Sequence, residues 1–197
     1  NNCALPPCYG TTAPNGVLAD ANLGRLNVTS VTGRNGAGKF DELYALGGRS
    51  FSVWSTDGDL VFDSGGQMEQ IVHDFIPGFE NANQTSPGAA KDERSDDKGP
   101  EPEGLAMGKV WGRNYAFIGL ERIGGVMVFD VDNPTAPRFV TYVNNRVFTP
   151  PNTSSPSDLG PEGLTVLDAD NSPTHSPLLL VSNEISGTLA IYAIDKE

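Results

Sequence analysis

Two cysteines and two histidines are all that the 197 residues contain. That scarcity excludes a zinc centre built on His and Cys ligands. Basic residues are the second shortage: 13 Lys plus Arg face 25 Asp plus Glu, a formal charge of −12. Without a basic face the chain has nothing to hold the phosphates of a nucleic acid, so no nucleic-acid partner is expected. Long apolar runs are missing as well. The densest, Val126-Met127-Val128-Phe129 and Leu178-Leu179-Leu180-Val181, fall far short of the roughly 20 residues a membrane helix needs, so no membrane span is expected. No Gly-x-Ser-x-Gly elbow occurs, and His73 and His175 stand in an amphipathic stretch and a Pro/Ser loop, so a nucleophilic triad finds no support. Gly33-Arg34-Asn35-Gly36-Ala37-Gly38-Lys39 lacks the Gly-Lys-Ser/Thr ending of a phosphate loop and reads as a strand connector. What is plentiful is Gly and Pro, 23 and 15 residues, beside 38% hydrophobic residues. That mixture points to many short strands and turns with enough apolar content for a core, nominally one domain.

Internal repetition organises those strands. Pro102-Glu103-Gly104-Leu105 recurs as Pro161-Glu162-Gly163-Leu164. Tyr115 to Glu121 matches Leu178 to Glu184, Gly124 matches Gly187, and Val126 to Asp132 matches Leu189 to Asp195. The order strand, strand, Gly turn, strand is therefore the same in both. A weaker upstream copy runs through Leu26–Val31, Glu42–Leu46, Ser50–Ser55 and Leu60–Asp63, with the hairpin signal Asp57-Gly58 before its last strand. In the middle copy Arg138–Val143 supplies a fourth strand. Four short antiparallel strands per repeat make the blade of a β-propeller. An ordinary β-sandwich also shows short strands and turns, but gives no reason for the repeated Pro-Glu-Gly-Leu. The expected fold is all-β: a portion of a β-propeller of about three blades (25–65, 103–144 and 162–195), the last lacking its outer strand. Residues 66–102 and 145–161 are inserts, and 1–24 form a Cys/Pro-rich N-terminal segment ahead of the partial propeller at 25–197. Within the first insert Met68, Ile71, Val72 and Phe75 keep helical spacing, which predicts one short amphipathic helix. Three blades cannot close a ring. The remaining blades and the strand after Ile194 are expected from a second chain or fragment.

Cys3 and Cys8 are spaced to close a small disulfide ring, and Asn27, Asn83 and Asn152 begin sequons, whereas Asn133-Pro134-Thr135 is excluded by its proline. Together with the low pI these features suit a secreted or cell-surface glycoprotein.

The most chemically loaded stretch is Asp92 to Glu103, six carboxylates in twelve residues with Arg94 and Lys98 interleaved. Hard oxygen donors at this density suit Ca²⁺ in an irregular loop; a solvated charged loop that pairs internally is the alternative. The repeated glutamates bear on that choice. Glu103 and Glu162 open equivalent strands, while Glu121 and Glu184 end equivalent strands. Symmetry that gathers carboxylates demands a cation between them, a bound Ca²⁺ or the neighbouring Arg122. Equally, each Pro-Glu-Gly could cap a blade turn through backbone N–H groups. The metal candidates are Asp96, Asp97, Glu103, Glu121, Glu162 and Glu184.

Leu46–Trp54, Arg94–Gly104, Gly119–Gly125 and Leu159–Leu164 together resemble the choice-of-anchor I family, with the likeness running from about Leu43 to Ile194. That family includes mesenchyme-specific cell-surface glycoproteins of biomineralising animals and atypical alkaline phosphatases of cyanobacteria. The resemblance implies a secreted or surface-anchored β-propeller of which this chain is the C-terminal portion. It also implies either a calcium-binding role in surface assembly, adhesion or mineral handling, or a calcium-dependent phosphoesterase acting at the channel mouth. A structural subunit of an extracellular assembly is the third reading. For the enzyme, Glu103, Glu121 and Arg122 are the catalytic candidates and Arg94, Lys98 and Arg113 the phosphate-binding ones, with a phosphate ester or a mineral surface as partner.

Overall fold

The computed structural model describes residues 16–84, 91–148 and 157–196. Cys3, Cys8 and Asn152, with the disulfide and the third sequon, lie outside them. The fold is all-β apart from one helix, in three antiparallel sheets. The first sheet is a hairpin of β1 (Ser52–Trp54) and β2 (Leu60–Asp63), turned at Asp57-Gly58, where Gly58 takes φ 89°. The helix α1 (Gln67–Phe75) follows, where the spacing of apolar residues places it, and buries Met68, Ile71 and Val72. The second sheet is a four-stranded meander of β3 (Pro102–Val110), β4 (Arg113–Leu120), β5 (Val126–Asp130) and β6 (Arg138–Val143). The third is a three-stranded meander of β7 (Pro161–Leu167), β8 (Leu178–Asn183) and β9 (Thr188–Ala193).

Alternation along the strands divides the core in two. Ala116, Ile118, Leu120, Met127, Phe129 and Tyr142 leave one face of the second sheet and pack against α1 and Phe51. Phe117 and Val126, on the opposite face, meet Leu179, Val181, Leu164 and Tyr192 of the third sheet. The second sheet is thus sandwiched between its two neighbours. β3 and β7 lie alongside one another and run the same way: Gly104 faces Glu162 and Leu164, and Gly108 faces Val166. Glycine is required at this approach, because a Cβ on Gly108 would stand 2.7 Å from Val166 Cγ1. Gly108→Ala is accordingly expected to lower stability by about 1–2 kcal/mol, the usual cost of overpacking, in a urea melt.

The repeat seen in the sequence is the repeat of the backbone. Glu121 N–H donates to the Glu101 carbonyl at 2.8 Å, and Glu184 N–H donates to the Gly160 carbonyl at 2.8 Å. The upstream copy departs from expectation. Its first two strands survive only as the isolated bridge Val28–Ala45, and Arg34–Phe40 forms another bridge. Left-handed glycines at 33, 38 and 47 interrupt the extended backbone there. Val31 and Leu43, 94% and 62% exposed, find no face to cover them. The acidic stretch departs as well: from Asp92 to Lys98 most of it is half-buried rather than solvated. Arg25 pairs with Asp92, Asn27 N–H donates to the Asp96 carbonyl at 2.7 Å, and Arg49 donates to the Ser95 and Asp97 carbonyls while pairing with Glu69 of α1 at 2.8 Å.

Candidate functional site

At the end of the second sheet where β3 begins and β4 ends, the acidic loop delivers Glu101 between two cis neighbours in sequence and two partners from across the sheet. Its side chain is 1% exposed. Arg94 Nη2 reaches it at 2.6 Å, Lys98 Nζ at 3.0 Å and Arg122 Nε at 3.0 Å. Glu101 takes φ 54°, in the left-handed region, at the position where the next repeat has Gly160 with φ 72°. A non-glycine residue held there costs on the order of 1 kcal/mol and persists where its surroundings over-determine it. Here they do: in the next repeat Ile185 fills the space over Gly160, and in this one Arg122 fills the equivalent place and pairs with the carboxylate.

Around this hub stand the other acids. Carboxylate oxygens of Glu101, Glu103 and Glu121 lie within 4.8 Å of one another. Lys98 also reaches Glu103 at 3.5 Å, and Arg122 reaches Glu121 at 3.2 Å. Burial pushes Glu101 upward, but hydrogen bonds from Arg94, Lys98, Glu121 and Arg122 outweigh it and hold the carboxyl at about 2. Glu121, 6% exposed, goes the other way: burial first, then its hydrogen bond to Glu101 and the Glu103 charge, push it up to about 7 against the pull of Arg122. The two carboxyls therefore titrate as a coupled pair, Glu101 giving up its proton first and Glu121 last. Gln84, 3% exposed, donates Nε2–H to Glu121 at 3.1 Å, and its buried Oε1 has no partner among the described residues. On the adjoining β7 the hydrogen bond and charge of Glu184, then slight burial and the Glu103 charge, raise Glu162 above the usual carboxylate range. Five glutamates thus form a row across the start of β3 and β7, from Glu101 through Glu121, Glu103 and Glu162 to Glu184.

The expected site residues sort accordingly. Glu103, Glu121, Glu162, Glu184, Arg122, Arg94 and Lys98 come together. Asp97 accepts from Arg94 at 2.7 Å and from Asn27 Nδ2 at 2.8 Å, and with Asp96 it stands apart from the carboxylate group, fastening the loop. Arg113 does not belong here: it begins β4 at the far end of the sheet, opposite Val110, and is bound to Asp130 and Asp132. Eight strand steps of about 3.3 Å put it about 25 Å from the glutamates. Asn27 is exposed, and its amide nitrogen is the group that binds Asp97; Asn83 is half-buried, its carbonyl accepting from Arg146 at 2.6 Å. Glu101 and Gln84 are functional candidates that motif comparison misses. Aligning the two repeats one residue further upstream sets Glu101 against Gly160 and exposes the first; nothing in the sequence signals the second.

Hard oxygens, several of them charged and crowded, suit a divalent cation of the calcium type. Among the described residues only Glu101, Glu103 and Glu121 form a group of three whose carboxylate oxygens all lie within 4.8 Å of one another, so the donor set centres on Glu103 and Glu121. It fits poorly at Glu101, whose charge three cations already neutralise.

The choice-of-anchor I domain matches residues 9–134. The match begins earlier than the Leu43 expected from the motifs and takes in part of the N-terminal segment set apart from them. Gigasin-3a of Magallana gigas is 30% identical over 191 residues, covering 89% of this chain and 66% of its own length. The mesenchyme-specific cell surface glycoprotein of Strongylocentrotus purpuratus is 32% identical over 121 residues, 55% of this chain and 15% of its own length. The chain thus spans about two thirds of one relative and a small part of the other. No solved structure matches it significantly. No helix among the described residues is long and apolar enough to cross a membrane. With the family match extending over more than half of its residues, the chain belongs to the choice-of-anchor I domain family.

Proposed function

We propose that the chain is part of an extracellular cell-surface β-propeller whose glutamate row binds calcium, in surface assembly, adhesion or mineral handling. One observation carries the reading. Repeat-equivalent pairs, Glu103 with Glu121 and Glu162 with Glu184, are set side by side on adjoining sheets, where Glu103 raises the proton affinity of Glu121 and of Glu162, and Glu184 raises that of Glu162. A divalent cation relieves that repulsion at no cost in new structure. The blade reading draws support from the meanders of like order and from β3 and β7 running in the same direction at the contact between sheets, as inner strands of neighbouring blades do. The relatives' names, one a cell surface glycoprotein, support the location. Glu103, Glu121, Glu162 and Glu184 would hold the ion, and Arg94, Lys98 and Arg122 keep the Glu101 loop in place beside it.

Calorimetric titration of the chelator-treated protein with CaCl₂ tests this. Saturable binding is expected, weakened at least tenfold in the double variant Glu103→Gln, Glu162→Gln; absence of binding to millimolar calcium would remove the reading.

Calcium-dependent phosphoester hydrolysis is the second reading, favoured by Glu121, whose affinity for protons near neutrality is what a general acid or base needs. Against it, Arg94, Lys98 and Arg122 are engaged by Glu101. Turnover of p-nitrophenyl phosphate with calcium, lost with chelator and in Glu121→Gln, is its expected signature. Calcium binding without turnover leaves the non-catalytic role.

A further inference from the structure

Three consecutive carbonyls in the turn between β4 and β5 accept hydrogen bonds from side chains of β6 and its continuation. Tyr142 O–H donates to the Gly124 carbonyl at 2.6 Å, and Asn144 Nδ2–H donates to the Ile123 carbonyl at 3.3 Å. Arg146 Nη1–H reaches the Arg122 carbonyl at 2.9 Å and the Ile123 carbonyl at 3.4 Å. The three donors stand at alternate positions, the spacing that puts side chains on one face where a chain leaves a strand. Asn144 Oδ1 also accepts from Arg146 N–H at 2.9 Å, which sets the direction in which the arginine departs.

Tyr142 and Asn144 fasten the turn to the sheet that already contains it. Arg146 goes further. Its Nη2–H donates at 2.6 Å to the carbonyl of Asn83, 63 residues away in sequence. The next residue, Gln84, is the one whose Nε2–H meets Glu121 at 3.1 Å. One guanidinium thus bridges the main-chain segment that carries Gln84 and the segment that carries Glu121 and Arg122. Arg146 is 6% exposed, with Cζ 4.8 Å from the centroid of the Phe148 ring, and burial holds its pKa below the ordinary arginine value against the pull of Tyr142 and Glu93. Burying a charge to satisfy main-chain carbonyls is a costly way to fasten two segments. What it gives is shape, because Nη1 and Nη2 form a rigid planar fork that fixes the separation of the groups it holds. Lysine brings the same charge on one nitrogen and has no fork.

We propose that Arg146 is a positioning residue for the glutamate site, holding Gln84 against Glu121 by clamping the main chain at Asn83 to the main chain at Arg122. It acts through Gln84 on one side and through the turn bearing Glu121 and Arg122 on the other. Its consequence for calcium rests on the reading of the glutamate row given above; the clamp itself does not.

The test uses the whole chain, first in chelator and then with CaCl₂. In the unmutated protein, nuclear Overhauser contacts are expected from the Arg146 Nη protons to the peptide units at 83–84 and 122–123, and their absence overturns the proposal without a variant. In Arg146→Lys the Gln84 side-chain amide signals, identified by their loss in Gln84→Ala, should move to the position of solvated glutamine while the amides of β4 and β5 keep their protection from exchange. Signals that stay in place overturn it. Calcium affinity should fall about tenfold in Arg146→Lys, the usual effect of disturbing groups that orient a metal ligand. It should fall no further in the double variant Arg146→Lys, Gln84→Ala than in Gln84→Ala, because the two residues act in one chain of contacts. An arginine that only supports the fold would leave the affinity of the folded protein unchanged, as Gly108→Ala is expected to do; that result, or additive losses, overturns the positioning role. Failure of the unmutated chain to bind millimolar calcium removes the calcium reading instead, and the Gln84 signals then decide the clamp alone.

Discussion

Glu101→Ala is expected to destabilise the protein by about 3 kcal/mol at pH 5, measured by urea unfolding in chelator, because it leaves three half-buried cations without their shared counter-charge. Arg94, Lys98 and Arg122 all converge on this carboxylate. Removing it breaks the tie between the acidic loop and the end of β4, and sets three positive groups against one another. Two comparisons make the expectation specific. Glu101→Gly loses the same charge but restores the residue that the next repeat uses at Gly160, so it should recover about 1 kcal/mol of the loss by relieving the left-handed backbone. The alanine deficit should also shrink at pH 8. Without Glu101 the adjacent Glu121 keeps its burial but loses the hydrogen bond that adds to it in favouring the proton, so it ionises more readily beside Arg122 and takes over part of the neutralisation. Equal losses for alanine and glycine, constant with pH, would mean that neither strain nor the coupling to Glu121 matters at this position.

How far the sequence discloses this arrangement depends on where the information resides. The repeat is legible because strand periodicity and Pro-Glu-Gly-Leu recur together, and the backbone hydrogen bonds of Glu121 and Glu184 reproduce that correspondence. The helix is legible because its apolar face needs only local spacing. The upstream copy is overread. Its residues alternate as strands do, but a strand forms where its apolar face is covered, and Val31 and Leu43 stay uncovered. Arg113 is misplaced for a related reason: counting cations ignores that β3 and β4 form one hairpin, so that Arg113 and Glu103 are at opposite ends. Glu101 hides because it breaks the repeat rather than following it. Its significance lies in replacing a glycine, and comparison of matching motifs passes over a mismatch. Gln84 is hidden more deeply, since only tertiary packing carries the residue onto Glu121 from the segment after α1.

Glu121→Gln is expected to change the pH dependence of stability more than any other substitution in the row. In the wild type the folded state holds a proton on Glu121 up to about pH 7, whereas the unfolded chain releases it near the ordinary value of 4.5. Between those values the folded state binds more protons than the unfolded one, so stability falls as pH rises. The stabilisation is complete below about pH 4.5 and has gone once pH passes 7. A shift of that size corresponds to about 3 kcal/mol at about 1.4 kcal/mol per pH unit. Glu101 supplies the opposite limb: held at about 2, it contributes above 4.5 and is lost as pH falls through 2. Chelator-treated wild type should therefore be most stable near pH 4.5 and weaken on both sides. Glutamine mimics the protonated side chain, keeps an oxygen for Gln84 Nε2–H, and offers an amide N–H to Gln84 Oε1. It should abolish the decline between pH 4.5 and 7 and leave the variant more stable than wild type by about 3 kcal/mol at pH 8. Calcium, where it binds, should then lift the wild type at pH 8 more than the variant, because the variant offers the ion one carboxylate fewer. A variant that keeps the wild-type slope would place the proton elsewhere and remove Glu121 from the centre of the site.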